Sequence, residues 1–102
     1  MFDFHRWLDW SREQTAALSR RGFEAAFTFN PESEATSNPA FFIDLETEKN
    51  VGRMIVWLTG DCGVTVLLYG SLEAFPLPEM PVEVTNSTFE DAFDRFVRYA
   101  TS

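Results

Sequence analysis

The sequence predicts an α+β domain: an antiparallel meander sheet of about four strands, with N- and C-terminal helices packed on one face. Two patterns indicate this fold. Apolar residues recur with helical spacing at both ends of the chain, and they alternate with a period of two in the middle, from residue 40 to 69. Because each helix has one apolar stripe and the sheet has one strongly apolar face, two layers are the economical packing. At 102 residues, we expect residues 1–102 to form a single domain.

The two terminal segments carry the start and stop signals of helices. The first helix is expected over residues 3–21, with Asp3 as its N-cap and Gly22 directly after its end. The second is expected over residues 87–101, where Ser87 and Glu90 have the spacing of a capping box. The apolar stripes consist of Phe4, Trp7, Leu8, Ser11, Thr15 and Leu18 in the first helix and of Phe89, Phe93, Phe96, Val97 and Ala100 in the second.

Alternating apolar residues and turn signals define the strands. A first strand is expected over residues 23–29, and a short edge strand over residues 82–84. A central hairpin has its turn near Lys49 and Asn50, which places Glu46 opposite Arg53. A three-residue loop over residues 61–63, with Gly63 in the left-handed conformation, is expected to lead into the next strand.

One face of this sheet, called the mixed face below, combines large apolar side chains with charges. Its predicted members are Phe42, Asp44, Glu46, Arg53, Ile55, Trp57, Leu67 and Tyr69. Aromatic anchors beside charged groups are the usual composition of a binding hot spot. In the alternative interpretation, residues 75–81, which include three prolines, cover this face as a second small core.

Composition favours some partners over others. Sixteen acidic residues against eight Lys and Arg give a formal net charge of −8, which repels nucleic acid and anionic membranes and attracts basic partners. No apolar run reaches the ~20 residues of a membrane span, and the first residues lack the pattern of a signal peptide. A single cysteine excludes an internal disulfide. We therefore expect a cytoplasmic protein with neither a nucleic-acid nor a membrane partner.

The sequence offers no residue set for catalysis, and we expect neither a metal nor a cofactor. His5 and Cys62 are the only residues of their types, too few for a zinc site, and Cys62 is expected in a turn without an activating base. Neither a P-loop nor a GxGxxG motif occurs. Asp44, Glu46 and Glu48 share one strand face, but no second chemical group completes an acid–base site. We therefore expect a protein that recognises a partner and is not an enzyme.

Four short motifs form a spaced pattern in the middle of the chain. They are Asn38-Pro39, Ile43-Asp44-Leu45-Glu46, Gly52-Arg53-Met54-Ile55-Val56-Trp57 and Gly60-Asp61-Cys62. The pattern covers roughly residues 23–68 and resembles the TriTu-type immunity proteins of bacterial polymorphic toxin systems. This resemblance implies an antitoxin-like protein that binds a cognate toxin domain and neutralises it by occlusion, with no chemistry of its own. Many such toxins are nucleases, and an acidic partner binds a basic nuclease site quickly.

A second class of protein remains open at this stage. A small acidic α+β chain also fits a secretion chaperone or adaptor that holds an effector segment, usually as a homodimer. The mixed face would then serve as the dimer interface or as the peptide groove. The neighbouring gene discriminates the two classes, since it encodes either a toxin domain or a secreted effector. An enzyme would instead need a pocket with a perturbed carboxylate.

Overall fold

The fold is that of a computed structural model, which describes residues 1–29, 38–68 and 83–101. The four strands form one antiparallel sheet with the order β1-β2-β3-β4. The predicted α+β meander with a helix at each end is confirmed. The elements in chain order are α1 (Phe4–Arg20), β1 (Glu24–Phe29), β2 (Ala40–Glu46), β3 (Asn50–Trp57), β4 (Cys62–Leu68) and α2 (Phe89–Thr101).

Helix α1 begins and ends where the sequence predicts, to within one residue. The Asp3 side chain accepts a hydrogen bond from the Arg6 amide at 3.3 Å and so caps the first turn. After the last turn, Gly22 takes a φ of +97°, a left-handed conformation that favours glycine. The chain can therefore reverse and enter β1 at Glu24.

Helix α2 begins two residues later than predicted, at Phe89. The carbonyl of Thr88 accepts from the Ala92 amide at 3.0 Å, and its hydroxyl accepts from the Thr85 amide at 2.9 Å. The Thr85 hydroxyl in turn accepts from the Ser87 amide at 3.3 Å, so Thr85 and Thr88 bond reciprocally before the helix, as in a capping box. The sequence assigned this arrangement to Ser87 and Glu90, two residues later, because the spacing of three fits both pairs.

Both helices pack on the same face of the sheet. Helix α1 lies mainly against β1, and α2 lies across β2, β3 and β4. Each large buried side chain contributes about 1.5–3 kcal/mol before its conformational entropy is counted. The buried apolar residues of this core are Phe4, Trp7, Leu8 and Leu18 of α1, Phe41, Ile43, Leu45, Met54, Val56, Cys62 and Val66 of the sheet, and Val84, Phe89, Ala92, Phe93, Phe96 and Ala100 of the C-terminal part.

An aromatic cluster joins the two helices. The ring of Trp7 stacks on Phe89 with 4.8 Å between centroids, and Trp10 meets Phe93 edge to face at 5.0 Å. The Trp7 indole nitrogen donates to the Asn86 side-chain oxygen at 2.9 Å, so its one polar group is satisfied. Trp10, at the edge of the α1 stripe, is partly buried against the core.

The β2–β3 pairing differs from the predicted register by two residues. Asp44, rather than Glu46, lies opposite Arg53. The turn residues are Glu48 and Lys49, one position earlier than expected, because the Thr47 amide donates to the Asn50 carbonyl at 2.8 Å. A shift of two leaves every side chain on its predicted face, because successive side chains alternate between the faces.

The β3–β4 connection uses a different glycine from the one predicted. Gly60, with a φ of +93°, is the left-handed residue, and its amide donates to the Trp57 carbonyl at 2.9 Å. A Cβ on Gly60 would lie 2.7 Å from the Val84 carbonyl oxygen, so this turn requires glycine. The expected placement of Cys62 in a turn is wrong: the residue belongs to β4 and is buried in the core.

Some predictions concern segments that lie partly or wholly outside the described residues. The expected edge strand over residues 82–84 is described from Glu83 onward, and Glu83 pairs with Asp61 in an isolated antiparallel bridge. Tyr69 and residues 75–81 lie outside the described part of the chain. The alternative in which residues 75–81 cover the mixed face therefore stays a prediction.

A close approach between β3 and α2 supplies a test of this packing. At Gly52 in β3, an added Cβ would lie 2.9 Å from Ala100 Cβ and 3.1 Å from Phe96 Cε1. Gly52→Ala should therefore lower the free energy of unfolding by about 1–3 kcal/mol, through overpacking. Urea denaturation followed by circular dichroism measures the change. Gly63→Ala is the control, since its Cβ would be 3.7 Å from the nearest atom; equal losses in the two variants would contradict the packing.

Candidate functional site

The mixed face is the sheet face that lies opposite the two helices. Its predicted members on the described strands alternate with core residues, so all seven lie on one side: Phe42, Asp44, Glu46, Arg53, Ile55, Trp57 and Leu67. Phe42, Ile55 and Trp57 are half-buried, and Leu67 is 38% exposed. The eighth predicted member, Tyr69, lies outside the described residues. The structure therefore brings the described members together on one surface.

An ion pair occupies the centre of this face. Arg53 Nε donates to Asp44 Oδ1 at 2.6 Å, and Arg53 Nη2 donates to Asp44 Oδ2 at 3.3 Å. This bidentate hydrogen bonding, together with the opposite charge, raises the pKa of the Arg53 guanidinium above its usual value. The guanidinium carbon also lies 5.4 Å from the centroid of the Phe42 ring. Three side chains from two strands are thus held as one unit.

Trp57 lies at one end of the face, beside the β3–β4 turn. Its ring atoms Cζ3 and Cη2 are 3.7 and 3.8 Å from the position of a Cβ on Gly63, so the indole packs across the neighbouring strand. Gly63 is absent from the predicted site because the sequence pattern places it in the turn. Next to the indole, the exposed Asp61 side chain accepts from the Thr59 hydroxyl at 3.0 Å.

The opposite end of the face is acidic. Glu24 of β1 lies directly across from Glu46 of β2. A hydrogen bond to Glu24 raises the pKa of Glu46, with smaller contributions from burial and from repulsion by the Glu24 charge. Like charges at opposed positions destabilise a sheet. Glu24 is absent from the predicted site, although its alternation with Ala25 already assigned it to this face.

Three further observations on the described residues concern metal ligands, the cysteine thiol and the helices. Within residues 1–29, 38–68 and 83–101, no group of three or more His, Cys, Asp or Glu residues is placed to hold a metal ion. Burial raises the pKa of the Cys62 thiol to about 12, so the thiol stays neutral at physiological pH. Of the helices in the described segments, none has both the length and the apolar character needed to cross a bilayer.

The Glu24–Glu46 pair predicts a pH-dependent stability. Because the folded-state pKa of Glu46 is raised, its favourable contribution is complete below the unfolded pKa and is lost as the pH rises through the folded pKa. Glu46→Gln, which removes this titration, should therefore gain stability relative to the parent between about pH 4 and pH 7. Urea unfolding at the two pH values measures this gain. Glu13→Gln on α1 is the matched control, and an equal pH response in the two variants would contradict the assignment.

Comparison with known proteins agrees with the resemblance in the sequence. A family model described as immunity protein TriTu matches residues 4–99. The match begins at the first residue of α1, includes all four strands and ends two residues before the end of α2, and so extends well beyond residues 23–68, which carried the resemblance. Neither a curated protein nor a solved structure shows significant similarity to the chain. Because the family model covers nearly the whole sequence, the chain belongs to the TriTu family of immunity proteins.

Proposed function

We propose that this immunity protein binds a cognate toxin domain through the mixed face and neutralises it by occlusion, without chemistry of its own. The observation that carries the proposal is the partial exposure of large apolar side chains opposite the core. Phe42, Ile55 and Trp57 are only half-buried, and Leu67 is 38% exposed. Apolar anchors surrounded by charged groups are typical of binding hot spots. Membership of an immunity family supports a protein partner.

The dimensions of the face suit such a partner. From Val51 to Trp57, β3 covers six residue steps, or about 20 Å. Four strands spaced about 4.8 Å apart, with their side chains and adjoining loops, make a broad surface in the other direction. A standard protein–protein interface uses about 800 Å² on each partner. Six steps along β3 and four strand widths give roughly 400 Å² in projection, so side-chain relief and the adjoining loops have to contribute the rest.

The charge of the protein favours a basic toxin surface. The net charge is −8, and the carboxylates of Glu24, Glu46 and Asp61 are exposed around the apolar centre. Such a field accelerates the encounter with a basic partner, for example a nuclease domain whose substrate site binds phosphates. The proposal therefore places residues 1–102, as a single domain, in the cytoplasm against a basic nuclease toxin.

Co-purification with the toxin domain encoded by the neighbouring gene tests the proposal directly. A stable complex that abolishes the toxin's activity supports it. A neighbouring effector gene in place of a toxin gene, with a homodimer that binds an effector segment, would instead favour the secretion chaperone. Surface plasmon resonance on the complex then separates association rates from dissociation rates.

Trp57 is the expected anchor of the complex. Trp57→Ala should remove about 2 kcal/mol or more of binding free energy and accelerate dissociation by roughly 30-fold. Association should change little, because the variant keeps its charge. Tyr99→Ala, which removes a half-buried aromatic ring from α2, is the control. Unchanged dissociation of a folded Trp57→Ala protein would exclude the mixed face as the partner surface.

Charge at the acidic end should act mainly on association. Glu46→Lys should slow association with the toxin domain several-fold at low ionic strength, and added salt should reduce the difference. Glu13→Lys changes the net charge equally but lies exposed on α1, in the helix layer. Association rates measured across a salt series compare the two variants. Equal slowing would mean that net charge, and not the mixed face, determines the rate.

A further inference from the structure

The centre of the mixed face is electrically balanced, although the protein as a whole is strongly acidic. We propose that Asp44 and Arg53 form an internal, charge-neutral pair that presents Phe42 and Ile55 to an apolar segment of the toxin domain. Charged groups of the toxin are then recognised at the rim and not at this pair. The inference rests on the proposed function and specifies the chemistry of the partner that occupies the centre.

The first argument is the geometry of the pair. Both Asp44 carboxylate oxygens accept from Arg53, at 2.6 and 3.3 Å, and this uses two nitrogens of the guanidinium. A cation that approaches Asp44 would compete with these donors and would be repelled by Arg53. An anion that approaches Arg53 would be repelled by Asp44. A charged partner group of either sign therefore gains little at this position.

The second argument is the position of Phe42. The Arg53 guanidinium carbon lies 5.4 Å from the centre of the Phe42 ring, within the range of a cation–π contact. The ion pair fixes Arg53, and Arg53 in turn contacts the ring. Phe42 is therefore oriented before any partner arrives, which reduces the entropy lost on binding. Arg53 acts here as a positioning residue.

The third argument is the surroundings of the pair. Phe42 lies opposite Ile55, and Leu67 lies opposite Val51, so apolar side chains flank the pair along β3. Exposed carboxylates begin at the next position on this face of β2, at Glu46, with Glu24 opposite it, and occur again in Asp61 at the other end. A neutral apolar centre with a charged rim is complementary to an apolar segment of the toxin that has basic groups on either side.

A charge exchange within the pair tests the inference without altering the net charge. Asp44→Arg combined with Arg53→Asp keeps both ion-pair members on the same two opposed positions. Against the purified toxin domain encoded by the neighbouring gene, this variant should associate with the same salt dependence as the parent, and its dissociation constant should rise no more than that of Phe42→Ala, because Arg53 acts only through the Phe42 ring. A changed salt dependence, or a larger rise in the dissociation constant, in a protein with an unchanged melting temperature would overturn the inference, since a toxin charge would then contact one of the two positions.

Neutral variants keep the inference falsifiable if the exchanged protein does not fold. Asp44→Asn combined with Arg53→Gln should keep the salt dependence of association, whereas Asp44→Asn alone, which leaves Arg53 uncompensated, should weaken binding by about tenfold. A flattened salt dependence in the double variant would overturn the inference, because Asp44 would then contact a toxin cation. If the unmutated protein does not bind the toxin domain, the proposed function fails as well. If the parent binds the toxin domain but the variants show that charge at Asp44 or Arg53 matters, only the neutral-pair inference is refuted and the proposed function stands.

Discussion

Phe89 lies where the two helices and the sheet meet, and the rest of the architecture depends on its contacts. Its ring is fully buried, with centroids 4.8 Å from Trp7, 5.8 Å from Trp10 and 6.3 Å from Phe41. These contacts hold α1 and α2 in the same layer, on one face of β2. Because both helices lie on that side, neither covers the other face. The partial exposure of Trp57 and its neighbours is thus a consequence of how the aromatic core is packed.

The alternation of apolar residues was enough to predict the two layers, because the face on which a strand side chain lies depends only on whether its position is odd or even. A strand side chain keeps its face when the register changes by two residues, so the β2–β3 shift moved no residue from one face to the other. Register itself depends on contacts that are distant in sequence. The Asn50 side-chain nitrogen donates to the Ala100 carbonyl at 3.4 Å, half the chain away. Likewise, Gly60 and Gly63 both suit the left-handed position of a hairpin loop. Gly60 occupies it, at a place where the Val84 carbonyl oxygen leaves no room for a Cβ.

The same distinction applies to the candidate site. Its described members could be predicted from alternation, but their electrical roles could not, since these depend on which residues are opposed. In the predicted register Arg53 lies opposite Glu46, so Asp44 would have been the carboxylate without Arg53 opposite it. In the structure Asp44 is compensated by Arg53, and Glu46 faces Glu24 instead. An error of one residue in a turn thus exchanges the acid that lies opposite Arg53 and the acid that lies opposite Glu24.

The two electrostatic arrangements on this face have opposite effects on the free protein. The hydrogen bond to Glu24 raises the pKa of Glu46, so the stability that protonated Glu46 contributes is lost as the pH rises towards neutrality. The Asp44–Arg53 pair carries no such penalty, since the charges compensate each other, although a pair this exposed adds little stability. Under the proposed function, this difference between the glutamates and the ion pair favours different groups of the toxin at the two places. A basic toxin group beside the glutamates would relieve a repulsion already present, whereas a charge brought to the centre would have to displace a satisfied partner. Binding energy from charge is therefore available at the rim, and binding energy from apolar contact is available at the centre.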